Sequence, residues 1–379
     1  MKIKFWCTTR VSETGFVKIC VLLMCIASIL QDSMIFQSWN ILINACKYMI
    51  PMLGILVFII KAMRVASFKS FLLICIVCAT IIVTCIQSGD YSYLLVCIIL
   101  ILSQRLKIND FVNISYRTLI IGGGLHILLW LINCVINLGY PVFYNVSEGR
   151  ISFLFTHPNI AAIKLGWGVV MYIWLQWEKL TKKKLLACFF AVLVVHYSTK
   201  ADSCIILMGY ILLVAFRNIG IVRKATVFFS KYSFFLFGAL SFGFSLIYMG
   251  SGKLMQWARI LDVFFNRRLA MAYLAIQDNG ITLFGQSITR QHEWSEIFNF
   301  GNYTVDSLYV YFFVSIGLFW FLVISAGFYR IGRYRDYKAS LIVLIFSLYA
   351  LIEVHCLYLS NCFALLLLKC VLFREKKIE

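Results

Sequence analysis

Long apolar runs separated by short polar connections dominate the chain. They fall near 16–30, 41–60, 71–87, 91–103, 118–138, 160–177, 185–198, 203–216, 232–249, 306–327, 339–356 and 361–373. Most approach the ~20 residues that a helix needs to cross a bilayer core. The runs at 91–103, 185–198 and 203–216 barely reach that far. The pattern predicts an all-α polytopic membrane protein with about 12 transmembrane helices, forming a single multi-pass domain over residues 1–379.

One connection departs from this rhythm. Residues 250–305 form a long loop, and a loop of that length in a compact protein is usually functional. Its first part, "GKLMQWARILDVFFNRRLAMAYLAIQ", places apolar residues at helical spacing around Arg259, Arg267 and Arg268. It predicts an amphipathic helix lying along the membrane surface. "DNGITLFGQS" then ends the helix with two glycines, and "RQHEWSEIFNFGNYTVD" leads into the next span. Twelve-span transporters built from two halves usually carry a long link after span six; here that link is the brief "EKLTKKKL". Nor do the two halves share glycine- or proline-broken helices.

Composition agrees with the membrane reading. The chain is 62% hydrophobic and 13% charged, with a mean hydropathy of +0.89. A soluble domain is nearer half apolar and a quarter charged. The net charge of +19 raises the question of a polyanion partner. Most of the basic residues, however, fall on alternate connections: around Lys2–Lys18, "KAMRVASFK", "QRLKINDFVNISYR", "EKLTKKK", Arg217–Lys231, "RIGRYRDYK" and Lys369–Lys377. The other connections hold only Arg150, Lys200, Lys253, Arg259, Arg267, Arg268 and Arg290. That asymmetry places both termini in the cytoplasm and the long loop outside, and it needs no nucleic acid. The first run follows a basic stretch without a small-residue cleavage site, so it reads as an anchor. Most of the fourteen cysteines lie within spans, where cysteine acts as a small buried hydrophobe. "CIVC" at 75–78 has no second pair, so it does not signal a metal site.

With that topology the remaining polar residues gather on the outer face. Arg150, His157 and Asn159 precede span six, and His196, Lys200 and Asp202 mark the turn after span seven. Arg267, Arg268 and His292 lie in the long loop, and Asp306 opens span ten. Glu353, His355 and Asn361 lie around the end of span eleven, whereas His126 sits within span five. Ionisable groups at the hydrocarbon edge are costly and tend to mark substrate paths. Each also has a simpler reading. Lys164 and Lys47 can snorkel to the surface, and His292 can be merely solvated. His157 and Asn159 can cap a helix beside Pro158. Glu353, amid "YALIEVHCLYL", has to pair or face a wet cavity. Several arginines on one water–membrane boundary suit a phosphate or diphosphate headgroup on a lipid tail. No Asp-x-Asp pair occurs anywhere, so arginine rather than a metal would neutralise that charge.

"GRISFLFTHPNIAAIKLGWGVVMYI" resembles the R-x-S-x-x-F-x-H-P-N stretch opening a central span of bacterial O-antigen and capsular polysaccharide polymerases. "FFNRRLAMAYLAIQDNGITLFGQSI" resembles their outer loop, in which an arginine-led helix runs into a Phe-Gly turn. "VDSLYVYFFVSIGLFWFLV" is similar to the D-x-x-Y…G span that follows, and "ALIEVHCLYLSNCFALLL" to the late Glu…Asn span. The stretches occur in family order across 149–373. One departs from the pattern: where relatives often carry a Ser-Arg-Thr-like motif, this chain has "STKADS" at 198–203.

The resemblance implies a C-type glycosyltransferase-like fold and metal-independent transfer with no cofactor. Its substrates would be undecaprenyl-diphosphate-linked oligosaccharide repeat units, joined at the outer leaflet of the bacterial cytoplasmic membrane. A sugar hydroxyl attacks the anomeric carbon and lipid diphosphate leaves, which calls for positive charge at the leaving group and a base for the hydroxyl proton. On the matching positions, Arg150 with Arg267 or Arg268 would bind diphosphate, and Lys164 would serve the phosphate from below. Asn159 would fix sugar or histidine geometry, and Asp306 would join the substrate contacts. His157 would be the base or orient the hydroxyl, with Glu353 as the alternative. A chain-length regulator and a flippase are the partners such an enzyme would have. Two other functions fit the same residues: an O-antigen ligase, and a flippase or transporter for the lipid-linked saccharide. A transporter should also carry charges through the inner halves of its spans, which look bare here.

Overall fold

A computed structural model describes residues 13–39, 41–46, 49, 52, 68–248, 252–264, 266–288 and 304–373. Among them the chain is helical, with two isolated bridges (Ser33 with Phe155, Asn145 with Arg150) in place of strands. The helices are α1 (Glu13–Gln31), α2 (Phe68–Ser88), α3 (Ser92–Leu102), α4 (Ile108–Ile136), α5 (Pro158–Leu175), α6 (Lys182–Thr199), α7 (Ser203–Ala215) and α8 (Gly220–Ile247). After them come α9 (Lys253–Phe264), α10 (Arg268–Asn279), α11 (Leu308–Tyr311), α12 (Leu318–Arg333), α13 (Tyr337–Tyr349) and α14 (Leu368–Leu372).

Among the described residues four helical segments are long and apolar enough to cross a bilayer: Thr14–Gln31, Ile108–Ile136, Pro158–Leu175 and Gly220–Ile247. α4 shows why water is the wrong solvent for this surface. Ile121, Leu125, Leu128 and Val135 are all more than half exposed along its outer side, an apolar patch that a soluble monomer rarely leaves uncovered. α5 is the opposite case. Its buried residues, Ala161 to Trp174, surround the helix axis, and 67% of its span is buried against 22–39% for the other three. A helix apolar all round is a core helix, and α5 is packed by α4, α6 and α7.

Hydrogen bonds sort the connections onto two ends. At one end Thr156 N donates to Asp32 O (2.8 Å), Ile151 N to Ser198 O (2.8 Å) and Leu308 N to Ala350 O (2.9 Å). At the other end Trp174 Nε1 donates to Asn109 Oδ1 (2.8 Å), Arg217 Nη1 to Trp177 O (2.8 Å) and Lys369 Nζ to Leu106 O (2.6 Å). The eighteen residues of α5 run from the first set to the second, about 27 Å at 1.5 Å per residue.

Three expectations change. The continuous span over 306–327 is broken: α11 passes into a π-helical turn, Phe312–Ile316, and Gly317 (φ +114°) separates it from α12. The freed backbone groups find partners in the segment after α10. Thr282 N donates to Phe313 O and Gln286 N to Ser315 O, while Leu318 N donates to Thr282 O and Phe319 N to Leu283 O. Irregular backbone in an apolar bundle survives only when satisfied in this way.

The run at 339–356 is helical only to Tyr349, because Ala350 O turns to accept from Leu308 N and Ser307 Oγ. Irregular turns and short 3₁₀ pieces then carry the chain to α14. The single surface helix expected over 252–277 is two helices, broken at Asn266 and Arg267, both with left-handed φ. The buried Asp262 carboxylate accepts from Leu269 N (2.7 Å) and Ala270 N (3.3 Å), fixing the start of α10. α10 buries Ala272, Leu274, Ala275 and Ile276 against the α11 region, so it belongs to the core. Of these two helices it is α9 that keeps large apolar side chains exposed: Leu254, Trp257, Ile260 and Val263. The predicted span 41–60 lies mostly outside the described residues, as do Lys47, Arg290 and His292.

Candidate functional site

The loop "GRISFLFTHPN" is clamped on both sides and strained. Ile151 is tied to Ser198, Leu154 O accepts from Met34 N (2.9 Å), and Thr156 is tied to Asp32. Phe153 (φ +51°) and Leu154 (φ +63°) both sit in the left-handed region. Two such non-glycine residues in sequence cost about 1–3 kcal/mol each and persist only where the surroundings over-determine them. Packing does so here: Phe153 meets Trp130 edge-on and Phe155 stacks on the His126 ring.

The loop delivers three polar side chains to one point. Arg150 donates through Nε to Thr199 O (3.0 Å) and through Nη2 to Asn159 Oδ1 (2.9 Å), with Glu148 3.7 Å from Nη1. His157 is the N-cap of α5, its Nδ1 accepting from Asn159 N at 3.1 Å, with Pro158 as the first helical residue. His157 thus caps the helix, as its place beside Pro158 allowed, whereas Asn159 contributes its backbone N–H and not a capping acceptor. The Asn159 side chain is free of that task because Arg150 takes its oxygen.

A second group closes on the first from the other half of the chain. Arg268 Nε lies 3.6 Å from Asp306 Oδ2. Glu353, 4% exposed, accepts from His355 N at 3.2 Å and caps the 3₁₀ turn Val354–Leu357. The two groups share a field. Burial and then Arg150 hold His157 below its usual 6.5, with Asp306 pulling the other way and His355 adding to the lowering. Burial pushes the Glu353 carboxyl above its usual 4.5, opposed by His355 and Arg268 and assisted by Asp306.

The remaining candidates take other positions. Lys164 lies seven residues from His157, about 10 Å along α5. It does not snorkel: it is 1% exposed and paired with Asp32 Oδ2 at 2.9 Å. The stem of a residue two turns inside a core helix is too short to reach water past its neighbours. Arg267 is exposed at the left-handed turn before α10. Asp202 accepts from Asn266 Nδ2 (2.5 Å), linking the "STKADS" turn to the α9–α10 break, and Lys200 sits over the Tyr197 ring. Asp32, Ser28, Ser360 and Asp262 were not among the sequence candidates. Their signal was faint: an isolated acid or serine closing an apolar run, with its partner more than a hundred residues away in three of the four cases. Among the described residues no group of three His, Cys, Asp or Glu is placed to hold a metal.

Chemically, this end of the bundle offers guanidinium groups, a histidine kept neutral and a buried carboxyl of raised basicity. The His157 ring accepts at Nδ1, so its neutral form carries the proton on Nε2, which can act as a donor. No family model, no curated protein and no solved structure matches this chain.

Proposed function

We propose that the chain is a polysaccharide polymerase of the O-antigen or capsule type. It joins undecaprenyl-diphosphate-linked repeat units at the outer leaflet of the bacterial cytoplasmic membrane, with twelve spans and both termini inside. One observation carries the reading: Arg150, His157 and Asn159 converge with Arg268, Asp306, Glu353 and His355 at one end of an apolar bundle. The four stretches that resemble the polymerase family supply most of these side chains.

The geometry supports a role for each residue. Arg150 is oriented by Thr199 and Asn159, so its planar fork presents to a diphosphate without further ordering. Arg268 supplies a second cation, and positive charge placed where the leaving group develops negative charge lowers the barrier. His157, holding its proton on Nε2, orients the acceptor hydroxyl as a donor. Glu353 then takes the hydroxyl proton, its raised basicity suiting it to that step near neutral pH.

Deleting the gene and resolving surface glycan on a gel tests the function. A ladder collapsing to single repeat units is expected. Lipid-linked glycan held on the inner leaflet would indicate a flippase, and full-length polymer left unattached to its lipid core a ligase. Arg150→Lys keeps charge but loses the fork, so polymer should shorten markedly at unchanged protein abundance.

A further inference from the structure

Lys164 was the candidate least easily placed, and its surroundings assign it a different task from phosphate binding. An ammonium has three N–H donors and no acceptor. Here all three have partners: Asp32 Oδ2 at 2.9 Å, Asn361 Oδ1 at 3.0 Å and Ser28 Oγ at 3.1 Å. Ser360 Oγ donates to the same Ser28 oxygen at 2.8 Å. A diphosphate could bind Lys164 only by displacing one of these partners.

The partners lead directly to the site. Asp32 O accepts from Thr156 N (2.8 Å), the residue before His157. Asn361 Nδ2 donates to His355 O at 3.3 Å. A single ammonium therefore ties the end of α1, the body of α5 and the turn at 355–361, two of which carry ring groups of the site. We infer that Lys164 and Asp32 are a positioning pair that sets the His157 loop against the Glu353–His355 segment. The activity arm of its test rests on the transfer reading above; the structural arm does not.

The full chain is purified into nanodiscs and assayed for transfer between lipid-diphosphate-linked repeat units. Asp32→Asn, Lys164→Met and the reversed pair Asp32→Lys with Lys164→Asp are compared with wild type. A positioning role predicts that both single variants lose kcat by up to about a hundredfold, as slight misplacement of reacting groups does. KM for the donor stays within about twofold, because uniform binding is untouched, and the reversed pair regains part of kcat. A Lys164 that binds diphosphate predicts the contrary: Lys164→Met raises KM, while Asp32→Asn frees the ammonium and lowers it. That result overturns the inference.

The second arm needs no activity. The chain has five histidines, so the ring ¹³C–¹H signals of histidine-labelled protein can be assigned by substitution. Asp32→Asn, which keeps the side chain's shape and one acceptor, should move the His157 and His355 signals and leave His196 in place. Unmoved His157 and His355 signals overturn the inference. If wild type transfers no glycan while those signals move as expected, the transfer reading falls and the positioning pair stands.

Discussion

Gly317→Ala should unfold the broken-helix junction. Gly317 has φ +114° and ψ 143°, a conformation that an L side chain adopts only under strain of about 1–3 kcal/mol. A Cβ placed there would lie 2.4 Å from Leu283 O, 2.7 Å from Leu283 C and 2.9 Å from Phe284 N. These are backbone atoms, so no side-chain rotation relieves the contact. The chain then either keeps the strain and overlap or moves the 282–286 segment away. Moving it forfeits up to four hydrogen bonds, Thr282 N to Phe313 O, Gln286 N to Ser315 O, Leu318 N to Thr282 O and Phe319 N to Leu283 O. At about 1 kcal/mol net each, that route caps the loss near 4 kcal/mol. We expect about 2–4 kcal/mol of destabilisation, read as a lowered melting temperature of detergent-purified protein by fluorescence-detected size exclusion. Gly209→Ala is the control: it lies inside α7 with nothing within 4 Å of an added Cβ, and helix propensity alone makes it neutral or slightly stabilising. Equal melting temperatures for the two variants would refute the account of the break.

His157→Asn should hold stability near wild type, since asparagine is a good N-cap, yet lose turnover with the missing ring; His157→Ala should lose turnover and about 1 kcal/mol of stability together. Full turnover in His157→Asn would reduce His157 to a cap. Because burial raises Glu353, its ionisation and the acid limb of transfer should lie above the usual 4.5. His355 lowers that value, so His355→Ala should move the limb to higher pH; a limb that shifts to lower pH, or stays put, would exclude Glu353 as the base. Transfer by purified protein should persist in chelator, and activity lost there but restored by magnesium or manganese would show that the diphosphate is neutralised by metal.

How far the sequence could be read depended on where each residue's partners lie. α1, α4 and α5 were legible because their apolar runs are long, and their ends follow from local cues such as Pro158 after a capping residue. The breaks were not. Nothing within "VYFFVSIGLFWF" reports that Gly317 meets Leu283, or that Ala350 will accept from Leu308 rather than extend α13. Both arise from contacts over thirty or more residues, which periodicity cannot see. The break between α9 and α10 was hidden for a related reason. Arg267 and Arg268 suit a helix, and the acid that caps the new start, Asp262, lies on the preceding helix and looks like part of its polar face.

The same distance effect explains why Arg150, His157 and Glu353 stood out in the sequence as candidates while the partners of Lys164 did not. A charge in an apolar run stands out alone, so Arg150, His157, Glu353 and Lys164 were visible singly. Whether such a charge meets substrate or protein depends on what faces it. For Lys164 the answer lies 132 residues earlier, in an aspartate that reads in the sequence as no more than the end of the first apolar run. A buried cation whose every donor is matched by protein acceptors is finished as a binding group, because capturing a ligand would first require breaking a low-dielectric ion pair. Arg150 is held differently. Its Nε and Nη2 are fixed by Thr199 and Asn159, while Nη1 lies 3.7 Å from a Glu148 that is more than half exposed. A solvated carboxylate at that distance is a weak competitor, so Arg150 is oriented by the protein and still open to an anion.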